Sequence, residues 1–339
     1  MRVPSERPTQ DSIIEDVLPD GYLVRPVRPV GDDGGPDVDA AYAVVWACES
    51  RVNGTCESPR GETLEGLTDS EADPAGARLV LAPDGAPVGY LSVITDREAR
   101  AVFVDAYAVD ECGTGVTPTG LLGALVRAGL LRGAQLADDA SGQWTVKFVA
   151  PDADTEYREA IVHEGLTPIR IFYRMRIGFE HQVLAPPLPA GVTIGVVGTD
   201  AERRLVHEVV DTSFADHWDH TPHSVESFIS YATRAFGYDP SRWWLLRVDG
   251  VPAAVCVGSD EYREIGDGYI KWLGVLRDFR GQGLAKLLLR HSFHSYASNG
   301  YSGVRLGVDA SSPTGATHLY KSVGMSPIET MHVYNHDVT

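Results

Sequence analysis

The sequence predicts an α/β protein in which one fold is used twice in tandem. Three observations carry that expectation. An apolar run ending at Val275 passes through Arg280-Gly281-Gln282-Gly283 into a helical pattern over 286–296, which reads as strand, glycine turn and helix start. The order of elements read before residue 180 returns after residue 190. Between the copies stand Pro186, Pro187 and Pro189, as expected of a stiff linker. The implied division is a mobile N-terminus over 1–20, a first domain over 21–180, a linker over 181–190 and a second domain over 191–339.

In the first copy, 21–27 reads as a strand, 31–36 as a glycine-rich loop and 38–48 as a helix by its apolar periodicity. Residues 57–75 are acidic and irregular, with room for a short helix. Runs 77–82 and 87–95 form a hairpin about Pro83-Asp84-Gly85, since Asp and Gly tolerate the backbone angles of a tight turn. Strand 101–109, helix 120–133, strand 144–150, helix 154–164 and strand 169–177 complete the copy. The second copy starts with strand 191–197 and helices 201–217 and 224–233. Strands 243–248 and 253–258 flank the Asp249-Gly250 turn, strand 269–275 precedes the glycine turn, and strand 304–308 follows its helix.

Composition sets the class. With 339 residues, 43% hydrophobic and 22% charged, the chain is an ordinary globular protein whose two domains can each bury a core. No transmembrane run is present, and residues 1–16 are polar and acidic, unlike a signal or transit peptide, so a cytoplasmic location is expected. A net charge of −18 argues against nucleic acid or an anionic membrane as partner and is compatible with cationic small molecules. Cys48, Cys56, Cys112 and Cys256 show no C-x-x-C spacing and read as reduced thiols. Lysine occurs only at Lys147, Lys271, Lys286 and Lys321, an arginine bias that points to a GC-rich bacterial genome.

The glycine turn carries the chemistry. Glycines let successive backbone N–H groups point at one object, and a helix N-terminus adds positive partial charge, so a pyrophosphate fits there. The P-loop pattern and the third glycine of the dinucleotide fingerprint are both missing. A strand followed by R-G-x-G-x-A resembles instead the coenzyme A loop of the GNAT N-acetyltransferase superfamily. A second segment, Ala316-Thr317-His318-Leu319-Tyr320 through Gly324-Met325, resembles the family's A-x-x-L-Y-x-x-x-G-[FM] motif. Many members carry Asn seven residues before that tyrosine, where this chain has Pro313. The resemblance covers most of the chain, but its specific motifs lie in the second copy.

The resemblance implies a mixed twisted sheet flanked by helices in each domain, and acetyl-CoA as acyl donor. It implies coenzyme contacts from Leu273, Gly274, Val275, Arg280, Gly281, Gln282, Gly283, Leu284 and Ala285, and direct transfer to the amine of a small molecule. A backbone N–H near Val275 then stabilises the oxyanion, and Tyr320 protonates the departing thiolate. Blander alternatives stand beside these roles: Arg280 as a surface ion-pair residue, and Tyr320 as a half-buried helix tyrosine with a satisfied hydroxyl. The general base stays open among His217, Glu264 and Asp267, with Asp309 a further carboxylate. His217, His220 and His223 form a polar loop whose spacing is no strong metal signature, and no metal is expected.

In the first copy, Cys112 stands opposite Arg280, Asp110 and Glu111 add negative charge beside the turn, and Ile161 stands opposite Tyr320. A degenerate first domain follows. The competing class is a non-catalytic acyl-CoA-binding sensor, or a protein that sequesters a ligand. The chain is expected to be a monomer or homodimer.

Overall fold

The protein is described by a computed structural model covering residues 8–68, 72–109, 120–138, 142–218, 220–312 and 314–338. It divides into two compact units, Met1–Arg170 with Met331–Thr339, and Ile171–Thr330. These bounds differ from the expected 21–180 and 191–339. The last strand of each copy is built into the other copy's unit, and an apolar alternation does not state which neighbour a strand will choose.

Unit 1 opens with α1 (Gln10–Glu15), inside the stretch expected to be mobile. Thr9 and Ser12 close a reciprocal capping box, Ile14 is fully buried, and the Gln10 amide donates to the Gly76 carbonyl at 3.2 Å. One and a half turns are too few to show a period, so this helix was not legible. The unit continues through β1 (Leu23–Pro26), α2 (Gly35–Asn53), α3 (Arg60–Thr68), β2 (Arg78–Leu81), β3 (Pro87–Asp96), β4 (Ala101–Ala108), α4 (Leu121–Asp138), β5 (Trp144–Pro151) and α5 (Thr155–His163). Strands β1 to β5 are hydrogen-bonded in sequence order, antiparallel except for β4 with β5. Residues Met331 to Val338 of the last strand run antiparallel beside β5.

Unit 2 holds β6 (Pro168–Gly178) from Ile171 onward, β7 (Val192–Val196), α6 (Asp200–Phe214), α7 (Val225–Arg234), β8 (Trp243–Val248), β9 (Val251–Ser259) and β10 (Asp267–Val275). It ends with α8 (Leu284–Ser298), β11 (Gly303–Asp309), α9 (Ala316–Ser322) and the start of β12 (Ser326–Val338). Its strands run β6-β11-β10-β9-β8-β7, with β10 and β11 parallel and the other neighbours antiparallel. α8 and α9 pack on one face with Leu288, Leu289, Phe293 and Tyr320, and α6 and α7 cover the other with Val206, Val209 and Phe228. The buried residues of α8 recur at Leu284, Leu288, Leu289, Ser292, Phe293 and Tyr296, the stripe of an amphipathic helix.

Two glycines decide how α8 meets the sheet. A Cβ on Gly268 would lie 2.3 Å from the Tyr296 ring, and one on Gly258 would lie 2.3 Å from its hydroxyl. Tyr296 fills that notch without any exposed surface, its hydroxyl 3.0 Å from the carbonyls of both Ser259 and Tyr269.

A third glycine makes room for charge. A Cβ on Gly303 would stand 2.7 Å from both Arg176 and Asp267, which meet beside it. The fully buried Asp267 carboxylate takes two hydrogen bonds from Arg176, at 2.6 and 2.8 Å, and one from Arg305 at 2.5 Å. Burial pushes its pKa up, but the hydrogen bonds from Arg176 and Arg305 outweigh burial and hold it below the ordinary value. Asp267→Asn removes the carboxylate that offsets the charge of both Arg176 and Arg305, so a destabilisation of ~3 kcal/mol is expected. Because the native pKa is lowered, the stabilisation is present above about pH 4 and is lost as pH falls through the native value. Melting temperature measured against pH checks this: the variant should lose most at neutral pH and progressively less in acid.

Candidate active site

β10 and β11 begin as a regular parallel pair and then part. Their register runs from Asp267↔Gly303 to Ile270↔Leu306 and stops. Beyond it, β10 stays with β9 from Trp272 to Val275, whereas Gly307, Val308 and Asp309 of β11 stay with β6. A β-bulge between Ile270 and Trp272 sits where the strands separate, turning β10 away from β11. A wedge-shaped opening results, with one backbone edge free on each side.

Alternation decides which backbone groups face it. Leu276 N–H donates to the Ala253 carbonyl of β9, so Gly274, two residues back, also faces β9, while Leu273 and Val275 face the opening. Of the three strand residues expected to meet coenzyme, Gly274 therefore spends its backbone on β9. It is glycine for another reason: a Cβ there would lie 2.2 Å from the Ser213 hydroxyl of α6.

The glycine loop follows directly. Gly281 and Gly283 have φ of +77° and +78°, left-handed values at which side chains are strained. Neither has an atom within 4 Å of where a Cβ would be, and both are exposed together with Gln282. Gly283 is the N-cap of α8, with no side-chain cap and no acidic residue in the first turn. The first N–H groups of α8, at Leu284 and Ala285, thus lie at an uncapped helix start beside the opening, a natural diphosphate seat. Arg280 turns back instead of outward. Its Nε donates to the Val275 carbonyl and its Nη2 to the Ser213 carbonyl, each at 3.2 Å, fastening the loop to the strand end and to α6.

Tyr320 lies on α9 in the core of the same face, 8% exposed. Its hydroxyl makes no hydrogen bond among the described residues, and burial raises its pKa, so it stays a proton donor at any working pH. Tyr269, not anticipated from the sequence, reaches toward the same place. A Cβ on Gly307, the first residue of β11 no longer paired with β10, would stand 3.5 Å from its hydroxyl. Burial, then the Glu261 carboxylate, push the Tyr269 pKa up to about 12. The bulge at Lys271 interrupts the period-2 pattern that would otherwise have marked this face.

The base candidates separate. Asp267 is held by two arginines with a lowered pKa, which unsuits it to accept a proton. Asp267 lies at the paired end of β10, about 26 Å along the strand from Val275 at ~3.3 Å per residue, and the exposed Glu264 precedes it. Asp309 is buried at the end of β11, where it accepts the Ser311 N–H at 2.9 Å. His217 keeps a usable lone pair. Its Nδ1 lies 2.8 Å from the Trp218 carbonyl, which can only accept, so Nδ1 carries the proton and Nε2 is the acceptor. Its ring packs against Phe214 and Phe172, and the neighbouring Asp216 pairs with Arg277 at 2.6 Å, which keeps this loop beside the end of β10. His220 pairs with Asp211 at 3.2 Å, and among the described residues no three His, Cys, Asp or Glu side chains converge as a metal site.

Unit 1 keeps the parting of strands but fills it. β4 and β5 pair from Ala101↔Thr145 to Phe103↔Lys147 and then separate. The buried Tyr157 of α5 places its hydroxyl 3.3 Å from both the Val104 carbonyl and the Ala106 N–H of β4, using the edge groups that an extended ligand arm would need. Aligning Gly165 with Gly324 sets Tyr157 opposite Ala316 and Ile161 opposite Tyr320. Asp110, Glu111, Cys112, Gly113 and Gly115, read as the decayed glycine turn, lie outside the described residues, as does Pro313.

Comparison with known proteins agrees with this geometry. Residues 205–325 match the acetyltransferase (GNAT) family. A mycothiol acetyltransferase of Beutenbergia cavernae is 28% identical over 152 residues, 44% of this chain and 50% of that protein, so the match spans about half of the relative's length. A GCN5-related N-acetyltransferase from Sphaerobacter thermophilus superposes with a TM-score of 0.77 at 27% identity, over 94% of this chain and 96% of that one. A tandem GNAT protein from the clavulanic acid biosynthesis pathway gives 0.65 at 16% identity over 93% and 98%, a likeness of fold. No helix among the described residues is long and apolar enough to cross a membrane. Residues 205–325 are thus a GNAT acetyltransferase-family segment, carried on a chain that resembles the tandem GNAT N-acetyltransferases, mycothiol synthase among them.

Proposed function

We propose that the chain is an acetyl-CoA-dependent N-acetyltransferase that moves the acetyl group directly to the amine of a small molecule, with its chemistry in the second copy. The observation that supports this reading is the β10/β11 opening, which is followed by the Gly281–Gly283 turn and shares its sheet face with Tyr320, whose hydroxyl makes no hydrogen bond among the described residues. The pantetheine arm lies along Leu273 and Val275, and the diphosphate sits on the backbone of Gly281, Gln282 and Gly283 and the first turn of α8. Arg280 shapes that loop by holding Val275 and Ser213.

Transfer needs the acceptor as free amine, and in this reading His217 Nε2 takes its proton. The nitrogen attacks the thioester carbonyl, whose oxyanion is met by the Val275 N–H. As the carbon–sulfur bond breaks, Tyr320 delivers its proton to sulfur. The proposed compartment is the cytoplasm, where the acyl donor is available. Mycothiol-type precursors are one acceptor class for testing, by analogy with the Beutenbergia cavernae relative.

Free-thiol release from acetyl-CoA with a panel of small amines tests the activity. A binding-only sensor would take up acetyl-CoA and release no thiol above background. Calorimetry should find one strong acetyl-CoA site per chain, because Tyr157 occupies the strand edge in unit 1. Gly283→Val should lower melting temperature modestly, through a left-handed strain of roughly 1–2 kcal/mol, and weaken acetyl-CoA binding by more than that, since its side chain meets the ligand and no protein atom. Two equal sites, or unchanged affinity in a folded Gly283→Val protein, would contradict the assignment.

Tyr320→Phe keeps the ring and deletes the oxygen. A thiolate of pKa ~8.5 can leave without full protonation, so turnover should fall on the order of 10²-fold with acetyl-CoA affinity nearly unchanged. His217→Gln should lower turnover by a similar ~10²-fold factor through loss of the base. Wild-type rates in either variant, with chemistry rate-limiting, would remove that residue from the mechanism.

A further inference from the structure

One strand of unit 1 holds a carboxylate that no other group engages. Val102, Val104, Ala106 and Ala108 of β4 are buried with α4 in one core cluster, so Phe103, Asp105 and Tyr107 alternate onto the opposite face, where α2 and α3 pack. Along that face the carboxylate stands between two aromatic rings, with about 7 Å of strand to each. Phe103 is 37% exposed, and Asp105 and Tyr107 are half-buried, so the row can be reached from solvent. Tyr107 stacks on Tyr90 of β3, with 6.0 Å between centroids and 10° between planes. Neither the Asp105 carboxylate nor the Tyr107 hydroxyl makes a hydrogen bond or ion pair among the described residues.

The charges beside this row are mostly negative. Burial, then Asp105, Glu49 of α2 and Glu62 of α3 raise the pKa of Tyr107, and Tyr157 at the edge of β4 also feels Asp105 as negative charge. Burial lifts Asp105 itself from the ordinary carboxylate range to about 6, with no cation drawing it down. Directly opposite on β3, Ser92 hydrogen-bonds Tyr90, and on β5 the Lys147 ammonium lies over the Phe103 ring at 5.4 Å. A carboxylate this poorly solvated and without a donor costs the fold stability, and a ligand that supplies the donor relieves that cost.

The same atoms narrow the ligand. An anion would meet Asp105, Glu49 and Glu62 where solvent screens little, which is costly. Both oxygens of Asp105 are open, which suits a planar fork of two N–H donors, and the flanking rings suit a flat, weakly hydrated cation. A compact ammonium has no such fork and is more strongly hydrated. We propose that this row of unit 1 is a binding site for an alkylguanidinium, its guanidinium paired with Asp105 between the Phe103 and Tyr107 rings. A guanidinium is not an amine nucleophile, so this ligand is distinct from the acetyl acceptor, and the site stands whether or not unit 2 transfers acetyl.

Calorimetric titration of the full chain with ethylguanidinium, ethylammonium and the neutral isostere N-ethylurea tests this, on the wild type, Asp105→Asn and Phe103→Leu. One ethylguanidinium should bind per chain, more tightly than either of the other two. Loss of the charge-assisted pair should weaken it by about 10- to 100-fold in Asp105→Asn, and loss of one ring by about 2- to 5-fold in Phe103→Leu. Only the ionised carboxylate pairs, and ethylguanidinium stays charged throughout, so affinity should be full well above pH 6 and fall roughly tenfold per pH unit below it. Melting temperature separates binding from folding. Because the native pKa is raised, the carboxylate lowers stability as pH climbs from its ordinary value through about 6, so ligand-free Asp105→Asn should melt no lower than the wild type at neutral pH. A lower melting temperature there would mean that the carboxylate serves the fold, and would overturn the proposal. So would the lack of saturable ethylguanidinium binding, an equal affinity in Asp105→Asn, or ethylammonium bound as tightly.

Discussion

The opening between β10 and β11 depends on one wedge, the Tyr296 ring in the notch left by Gly258 and Gly268. The notch exists because neither position has a Cβ, and the ring then comes close enough for its hydroxyl to reach the carbonyls of Ser259 and Tyr269. Those carbonyls flank the place where β9 and β10 lose register and β10 swings away from β11. The same contact sets the roll of α8, since Tyr296 belongs to the stripe that begins at Leu284 beside the glycine loop. Strand parting and helix start are therefore fixed by one side chain. A substitution in the notch would move both at once, because a packed interior transmits a displaced ring to its neighbours.

The two copies diverge by what fills the space between parted strands. In unit 1 the Tyr157 phenol satisfies the Val104 and Ala106 backbone, as buried edge groups require. In unit 2 the aligned residue is Ala316, too short to reach, so the edge at Leu273 and Val275 keeps its capacity for a ligand. A single position, tyrosine in one copy and alanine in the other, separates a self-satisfied fold from a receptive one. The first domain kept the strand geometry and gave up the vacancy.

Charge on the binding side of unit 2 is partitioned between structure and recognition. Asp267 is clamped by Arg176 and Arg305, and Arg280 spends part of its guanidinium on the Val275 and Ser213 carbonyls. Tyr269 and Tyr320 present hydroxyls without hydrogen bonds among the described residues. The groups with chemistry still to offer are those that the fold leaves partly unsatisfied, at a cost that a bound substrate would relieve.

Much of this was legible in the sequence. The Arg280-to-Ala285 turn after an apolar strand located the end of β10 and the uncapped start of α8, because glycine conformations and helix starts are local matters written in adjacent residues. Strand and helix order in both copies followed from apolar periodicity for the same reason. What lay between distant residues was not legible: the pairing of β6 with β11, the packing of Ile14 in a short capped helix, and the double arginine clamp that turns Asp267 from a candidate base into a structural ion. Tyr157 in the first opening belongs to the same class, since its role is set by what the side chain meets in space. The sequence by itself determined the elements, their order and the glycine loop, whose causes act over a few residues. Only the tertiary structure decided which carboxylates are spent, which strand edge is plugged and which polar atoms remain free, because those depend on burial and on partners that chain order does not specify.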